Sequence, residues 1–424
     1  MMDGQEPRPA PREELARAVD AWNDRGEASS LEGWLGRELD EPGNPGRLPL
    51  AEWAEALGLL ARARTSRAGW PRGLDRRLTD FLRMLLRFSR PDGRTAALES
   101  DRPAPPAPRA FWRGLAAAFP EPDVARVLDW WFPGRDVEPV PPPLPAWSSP
   151  HSALGVLRAD WTPRGDLVAF DQREESSAAR FEVFGSGVSW LGPRWRTTDA
   201  AGDEPTTASK AVPSAWSTSS GADVAEWTFQ AGDLRVTRLA LMLRGRRAAI
   251  LADLIEGGSS AVAREMRLTI PEGRTVEALP GTKALRLRPA APARSAQIIP
   301  IGQPAETLGG TGRLTYDDST REIRLIQATS GGRAWLPLLV SWDHARNKKA
   351  LVWKSLTVAE QGKACSPETA WAARVSWAKA ETFVIYRSLG PAARRSFLGF
   401  TTTARFMIGR FTPEGDVDVI ASLD

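Results

Sequence analysis

The chain has 424 residues, of which 42% are apolar and 25% charged; this is the composition of a folded protein too long for one ordinary hydrophobic core. Its 56 Lys and Arg residues against 52 Asp and Glu residues leave a net charge of only +4, which argues against nucleic-acid binding through a basic surface. A single cysteine excludes an intrachain disulfide and a thiolate metal cluster. With two histidines and two tyrosines, the chain has few groups for acid–base or metal chemistry.

The amino-terminal sequence, MMDGQEPRPAPREELARAV, has neither the basic start nor the apolar core of a secretory signal. No run of the sequence approaches the roughly 18 uninterrupted apolar residues of a membrane span. As written, the sequence predicts a protein that stays in the cytoplasm, and export would require a start upstream of Met1.

Residues 1–132 carry the apolar pattern of α-helices. Apolar side chains recur every three or four positions, as in the stripe from Leu74 to Phe88. Pro11 and Gly26 are typical of the first and last positions of a helix. Paired amphipathic helices with short connections predict a short domain of stacked α-helical hairpins.

Residues 133–150, PGRDVEPVPPPLPAWSSP, are rich in proline. Proline runs favour extended polyproline II structure, so this segment is predicted to be a semi-rigid linker. It is the main predicted domain boundary.

From residue 151 to residue 424 the period of the apolar pattern changes from 3.6 to 2, which is typical of β-strands. The runs 234–241 and 249–255 flank the turn 244–247 and predict a hairpin. More than a dozen such runs, separated by Gly and Pro, predict one large antiparallel β-sandwich of two sheets. The predicted fold class is therefore α+β multidomain, with a helical domain at 1–132, a linker at 133–150 and the sandwich at 151–424.

Short segments of the β region resemble the heparinase II/III-like family of polysaccharide lyases. ALGVLRADW (153–161) resembles the opening strand of the family's sandwich domain, and FEVFG (181–185) with WLGP (190–193) resembles the segment that follows. The runs 385–389 and 404–410 fit its late strands. The resemblance implies a helical toroid followed by an antiparallel sandwich, with a partial toroid here because the helical part has only about three hairpins.

The family's active-site motifs are incomplete in this chain, which implies a degenerate site. Where the family has a Gly-His-x-Asp type motif before the strand at 181–184, this chain has DQREESS (171–177), without histidine. The toroid of the family contributes a Tyr, a His and an Asn, whereas residues 1–150 contain no Tyr, no His and only Asn23 and Asn44. A lyase must neutralise a uronate carboxylate, remove the adjacent proton and protonate the leaving oxygen, and each proton-transfer group contributes about 10²–10⁴-fold.

Three residues are the candidates for proton transfer: His151, His344 and Tyr386. His151 opens the sandwich and His344 lies in a polar turn, where the alternative is a solvated loop residue. Tyr386 adjoins Arg387, and a nearby cation lowers the pKa of a phenol; the alternative is a core tyrosine. With Cys365 the two histidines could form only an improvised zinc site, so neither a metal nor another cofactor is predicted.

Aromatic and arginine side chains of the β region are candidates for glycan binding. Aromatic faces stack on sugar rings, and guanidinium groups pair with carboxylates and sulfates. The alternative is that the tryptophans, 18 in all, fill cores, and that Arg286 and Arg288, which share a strand face, lie on a solvated surface. The candidate glycan-binding residues are Arg158, Trp161, Trp190, Arg194, Trp195 and Arg387.

Three hypotheses about function follow. The first is a heparinase II/III-like protein that recognises an acidic or sulfated polysaccharide with little or no lyase activity. The second is an active polysaccharide lyase that works by β-elimination on uronic-acid glycans through a rearranged site. The third is a non-enzymatic scaffold or interaction protein that has kept only the fold.

Overall fold

The structure is a computed structural model, and it describes residues 10–39, 43–90, 94–96, 109–132, 144–162, 165–198, 205, 208–258, 263–290, 294–306, 312–328, 332–378 and 381–424. The chain divides into two compact units. The helical unit comprises Met1–Pro145 and Trp161–Pro163, and the β unit comprises Ala146–Asp160 and Arg164–Asp424. Residues 133–143 of the proposed linker lie outside the described residues.

Amphipathic α-helices form the described part of the helical unit. They are α1 (Pro11–Arg25), α2 (Ala28–Glu38), α3 (Trp53–Ser66), α4 (Arg72–Phe88), α5 (Arg109–Ala118) and α6 (Pro122–Trp131), with a 3₁₀ turn at Leu50–Glu52. Pro11 begins α1, because its fixed φ suits a helix and its missing N–H would have had no partner in the first turn. Gly26 follows α1 at φ 73°, and its N–H donates to the carbonyl of Trp22 at 2.8 Å. Among the described helices, none combines the length and the apolar character needed to cross a membrane.

The described residues of the β unit form four antiparallel sheets, which we call A to D. Sheet A contains β1 (Trp147–Ser148), β2 (Leu154–Arg158), β3 (Leu167–Asp171), β4 (Ala179–Gly185), β5 (Val188–Leu191), β6 (Arg194–Thr198), β11 (Ala263–Thr269), β15 (Gly312–Asp317) and β16 (Glu322–Ala328). Sheet B contains β7 (Val212–Thr218), β8 (Ala222–Ala231), β9 (Leu234–Leu243), β10 (Ala248–Gly257), β12 (Arg274–Ala278), β13 (Leu285–Pro289), β14 (Ala296–Ile299) and β17 (Arg333–Ser341). Sheet C contains β18 (Leu351–Leu356), β21 (Ala370–Trp377), β22 (Glu381–Ser388), β25 (Phe406–Phe411) and β26 (Val417–Leu423). Sheet D contains β19 (Ala359–Glu360), β20 (Lys363–Ala364), β23 (Arg395–Phe397) and β24 (Phe400–Thr402).

In sheets A, C and D the order of the strands is close to their order in the sequence, whereas in sheet B two runs of strands meet where β17 pairs with β10. Sheet A runs β1-β2-β3-β4-β6-β11-β16-β15, with β5 beside β4, and sheet B runs β12-β13-β14-β17-β10-β9-β8-β7. Sheet C runs β18-β21-β22-β25-β26 and sheet D runs β20-β19-β23-β24. The predicted hairpin is confirmed, since β9 and β10 pair with Leu243 opposite Ala248.

Sheet B is the middle layer of the β unit. One apolar core lies between sheets A and B, and a second core lies between sheets B and C. A smaller cluster joins sheets C and D. The sandwich is confirmed, but it has a third layer where the sequence predicted two sheets. Because both faces of β10 are covered, its residues 248–255 are all buried and read as a nearly continuous apolar run.

A buried ion pair lies in the core between sheets A and B. Arg238 of β9 and Asp253 of β10 face each other in the hairpin register, both with no exposed side-chain surface. Their Nε and Oδ1 atoms are 3.2 Å apart, and the Thr197 hydroxyl donates to Oδ2 of Asp253 at 2.6 Å. The guanidinium group also donates to Gln172 Oε1 and to the Ser177 carbonyl, each at 2.8 Å. These hydrogen bonds therefore offset the free-energy cost of removing both charged groups from water.

Candidate functional site

A basic cavity of about 590 Å³ lies at the β13 side of the β unit. It is bounded by β13, by the residues around the start of β14, and by the segment between β17 and β18. Its basic lining residues are Arg286, Arg288, Arg294, His344, Lys348 and Lys349. Its described lining includes no carboxylate, so an anion that enters meets five formal cations. We call this cavity the basic pocket.

Strand β13 places Arg286 and Arg288 side by side. In its sequence, LRLRP, Leu285 and Leu287 are buried while the two arginines share the opposite, half-buried face. Residues two apart on a strand lie about 7 Å from each other, a spacing at which two guanidinium groups can hold neighbouring anionic groups of one polymer. Arg288 also forms an ion pair with Glu277 of β12 at 3.2 Å, where both side chains are about half exposed.

A buried amide network fixes the segment that carries the two lysines. The Asn347 side chain donates to the carbonyls of Ser341 at 2.8 Å and Ser295 at 3.1 Å. Gln297 of β14 donates to the Asn347 carbonyl at 3.2 Å and accepts a hydrogen bond from the indole of Trp377 at 3.1 Å. These bonds hold the backbone of the turn in one conformation, so binding through Lys348 and Lys349 orders only their exposed side chains and not the turn itself.

Arg294 reaches the turn between β4 and β5. Its Nη1 donates to the carbonyl of Ser186, and the N–H of Ser186 donates to Oδ1 of Asp166 at 2.9 Å. Burial raises the pKa of Asp166 to about 6, because the surroundings disfavour the charged carboxylate more than the Ser186 hydrogen bond favours it. One edge of the basic pocket is thus connected to a carboxyl group that titrates near neutral pH.

The raised pKa of Asp166 predicts a pH dependence of stability. Between about pH 4, where an unfolded Asp titrates, and about pH 6, the folded chain keeps a proton that the unfolded chain has lost. The free energy of unfolding therefore falls as pH rises through this window, by on the order of 3 kcal/mol. Denaturation of the wild type and of Asp166→Asn at several pH values measures this, and the difference between the two proteins isolates Asp166. A difference that stays flat or grows in the opposite sense would contradict the assignment.

The two histidines are both exposed. His344 lines the basic pocket. Of the three candidates for proton transfer, it is the one that shares a cavity with Arg286 and Arg288. His151 lies in the loop before β2, where its backbone N–H donates to the Ser149 hydroxyl at 3.2 Å. The sequence analysis did not connect His344 with Arg286 and Arg288, because almost sixty positions separate the histidine from the two arginines.

Tyr386 and Arg387 lie on opposite faces of β22. Tyr386 has no exposed surface, stacks on Phe397 with ring centroids 5.2 Å apart, and accepts a hydrogen bond from Arg395 at 3.4 Å. Arg387 instead pairs with the buried Glu226 of β8 across the core between sheets B and C. The expectation that Arg387 acts on Tyr386 is therefore corrected: strand alternation separates them, and the nearby cation is Arg395, which the sequence analysis did not consider.

The candidate glycan-binding residues are buried, with one exception. Trp190 and Trp195 have no exposed surface and pack in the core between sheets A and B, so neither offers a ring face to a sugar. Arg158 is also fully buried, and burial lowers its pKa to about 9. Trp161, in the helical unit, packs beside Trp131 at 6.1 Å between ring centroids. Only Arg194 is exposed.

The described residues hold no group of three or more His, Cys, Asp or Glu side chains arranged to bind a metal ion. His151, His344 and Cys365 accordingly do not come together in such a group. The basic pocket, with its cations and neutral amides, is suited to an anion and not to a metal.

Comparison with known proteins finds similar structures but no similar sequence. No protein-family model and no curated protein sequence matches the chain. Among solved structures, heparan sulfate lyase HepC from Pedobacter heparinus superposes with a TM-score of 0.67 at 12% identity, over 90% of this chain. A structure of heparinase III superposes with a TM-score of 0.65 at 11% identity, over 89% of this chain. The chain has a heparinase III-like fold.

The predicted resemblance to heparinase II/III-like proteins is confirmed at the level of the fold. The heparinase III-like architecture also accounts for the combination of a helical region with extensive antiparallel sheets. The chain covers 66% of the length of HepC and 67% of that of the heparinase III structure, about two thirds in each case. At 10–12% identity the likeness concerns the fold and not the catalytic residues.

Proposed function

We propose that this heparinase III-like chain binds an acidic polysaccharide, sulfated or rich in uronic acid, through the basic pocket and with little or no lyase activity. The observation that carries the proposal is the convergence of Arg286, Arg288, Arg294, Lys348 and Lys349 on one cavity without a carboxylate in its described lining. Guanidinium groups match sulfate and carboxylate geometry with two parallel hydrogen bonds. The similar solved structure of heparan sulfate lyase HepC supports a polymer of this class.

The proposal of low activity rests on the supply of proton-transfer groups. The chain has two tyrosines. Tyr386 is buried and stacks on Phe397. The Tyr316 hydroxyl donates to Asp318 at 3.1 Å, and partial burial together with this hydrogen bond raises the pKa of Tyr316. Because the phenolate is the form that accepts a proton, a raised pKa leaves a smaller fraction of the side chain able to act as a base near neutral pH.

A second function, an active lyase, is favoured by one specific observation. His344 lines the same pocket as Arg286 and Arg288, so a base and the cations needed to neutralise a uronate carboxylate occur together. In such a lyase His344 would remove the proton beside the carboxylate, the C4–O bond would break as the C4=C5 double bond forms, and the protonated imidazole or water would give a proton to the leaving oxygen. The product would be an unsaturated uronate at the new chain end. The two functions are separated by incubating the protein with heparin, heparan sulfate and alginate and measuring the ultraviolet absorbance of the unsaturated uronate. A rise in absorbance that His344→Ala abolishes would support the lyase, and no rise with any polymer would support binding without cleavage.

The binding proposal is tested with the double variant Arg286→Gln/Arg288→Gln. We expect its affinity for heparin, measured by calorimetry, to fall by about 10- to 100-fold, or about 1.4–2.8 kcal/mol for the pair. The dependence of affinity on salt should also weaken, because fewer charges are neutralised on binding. Arg286→Lys/Arg288→Lys, which keeps the charge but loses the planar fork, should lie between the double Gln variant and the wild type.

A matched control is Arg235→Gln/Arg313→Gln, which removes the same charge from exposed arginines outside the basic pocket. It should bind heparin nearly as well as the wild type. Glu277→Gln should bind more tightly, because it frees Arg288 from its ion pair. Equal losses in the two double variants would show that only net charge matters, and absence of binding to every acidic polymer would leave the scaffold hypothesis.

A further inference from the structure

His344 is the lining residue of the basic pocket that can change its charge near neutral pH. Among side chains with ordinary pKa values, only histidine gains or loses a proton between about pH 5 and pH 8. The other charged residues of the described lining stay cationic over this range: Arg286, Arg288, Arg294, Lys348 and Lys349. Protonation of the imidazole therefore raises the formal charge of this lining from five to six.

Three carboxylates of the surrounding segments are paired with arginines. Asp343, next to the histidine in the sequence, accepts the backbone N–H of Arg346 at 2.9 Å and lies 3.9 Å from its guanidinium group. Glu381 of β22 pairs with the same guanidinium at 3.6 Å, and Glu277 of β12 pairs with an arginine of β13 at 3.2 Å. The described lining itself contains no carboxylate, so the anionic partner that a protonated His344 lacks there is what an acidic polymer brings.

We propose that an acidic polysaccharide occupies the basic pocket with His344 protonated, so that this histidine is a binding group and binding takes up a proton. The inference rests on the proposed function and deepens it. The proton comes from the buffer and goes to the ring nitrogen that carries none in the neutral imidazole, while no bond of the polymer is made or broken. Because linkage is reciprocal, a polymer that prefers the protonated form raises the proton affinity of His344 by the same factor.

Protonation on binding opposes a role of His344 as a catalytic base. An imidazolium has no lone pair with which to remove the proton beside a uronate carboxylate. The more strongly the polymer prefers the protonated form, the smaller is the fraction of complexes in which His344 can accept that proton. The electrostatic attraction that gives affinity thus disfavours β-elimination, which supports binding with little or no cleavage.

The two histidines of the chain allow a direct measurement by nuclear magnetic resonance. Untagged protein with isotope-labelled histidine should give two Cε1–H resonances, which His151→Gln assigns. With saturating heparin, the pH at which the His344 resonance is half titrated should rise by about 0.5–1, which is a roughly three- to tenfold increase in proton affinity. The resonance of His151, which lies outside the basic pocket, should shift much less.

Calorimetric affinity for heparin should report the same linkage. From about pH 7.5 to about pH 5.5 the affinity of the wild type should rise about three- to tenfold, since the histidine gains its charge in this range. His344→Gln should lose this rise, whereas His344→Lys, with a permanent charge, should bind at the higher pH as tightly as the wild type does at the lower. His344 is exposed, so both variants should fold, and His151→Gln is the matched control that keeps the rise.

Two results would overturn the proposal while heparin binding itself stands. One is a half-titration pH of His344 that is unchanged or lower in the heparin complex, which would leave the imidazole available as a base. The other is a rise in affinity that His344→Gln keeps and Asp166→Asn abolishes, because the proton would then be taken up by the carboxyl group connected to the pocket edge through Ser186 and Arg294. Absence of heparin binding at every pH would instead refute the proposed function, and this inference with it.

Discussion

Asp253→Ala is expected to lower the free energy of unfolding by about 3–5 kcal/mol. The substitution leaves the guanidinium group of Arg238, which has no exposed side-chain surface, without its counterion in the core between sheets A and B. The Thr197 hydroxyl, which donates to Asp253 at 2.6 Å, loses its acceptor at the same time. Urea denaturation followed by far-ultraviolet circular dichroism measures the change.

The control is an ion pair of similar geometry at the surface. Arg410 and Asp418 approach to 3.3 Å, but about half of each side chain is exposed, so water already solvates both charges. Asp418→Ala should therefore cost less than about 1 kcal/mol. Equal effects of the two substitutions would mean that the buried pair is not desolvated as the structure describes.

The sequence contained enough information to find this buried pair. The apolar runs on either side of the turn 244–247 predict the hairpin, and closing it with Leu243 opposite Ala248 brings Arg238 opposite Asp253. The visible signal is a charge of opposite sign near the middle of each run, Arg238 in the first and Asp253 in the second. The helix α1 could be predicted for a similar reason, because Pro11 and Gly26 act on neighbouring backbone atoms.

The basic pocket could not be predicted, because it depends on contacts between distant segments. The sequence shows that Arg286 and Arg288 share a face, but only the pairing of β13, β14 and β17 brings His344 and the two lysines beside them. The third layer of the β unit was missed for a related reason. The unbroken burial of β10 signals two covered faces, yet a single strand does not reveal which sheet covers the second face.

Glu226→Ala is the second substitution with a large expected effect, again about 3–5 kcal/mol in the free energy of unfolding. Glu226 of β8 is 1% exposed and accepts a hydrogen bond from Arg387 of β22, so this pair joins sheets B and C. Arg405 reaches the other carboxylate oxygen at 2.7 Å, but its side chain is 39% exposed and can return to water. Arg387 cannot, because it is buried beside Trp335, and burial lowers its pKa.

A double-mutant cycle distinguishes the loss of a partner from the loss of the pair. Glu226→Leu and Arg387→Met should each be strongly destabilising, whereas the two together should come within about 1–2 kcal/mol of the wild type, because no buried charge is left unpaired. Additive losses would instead mean that the two side chains do not interact in the folded protein.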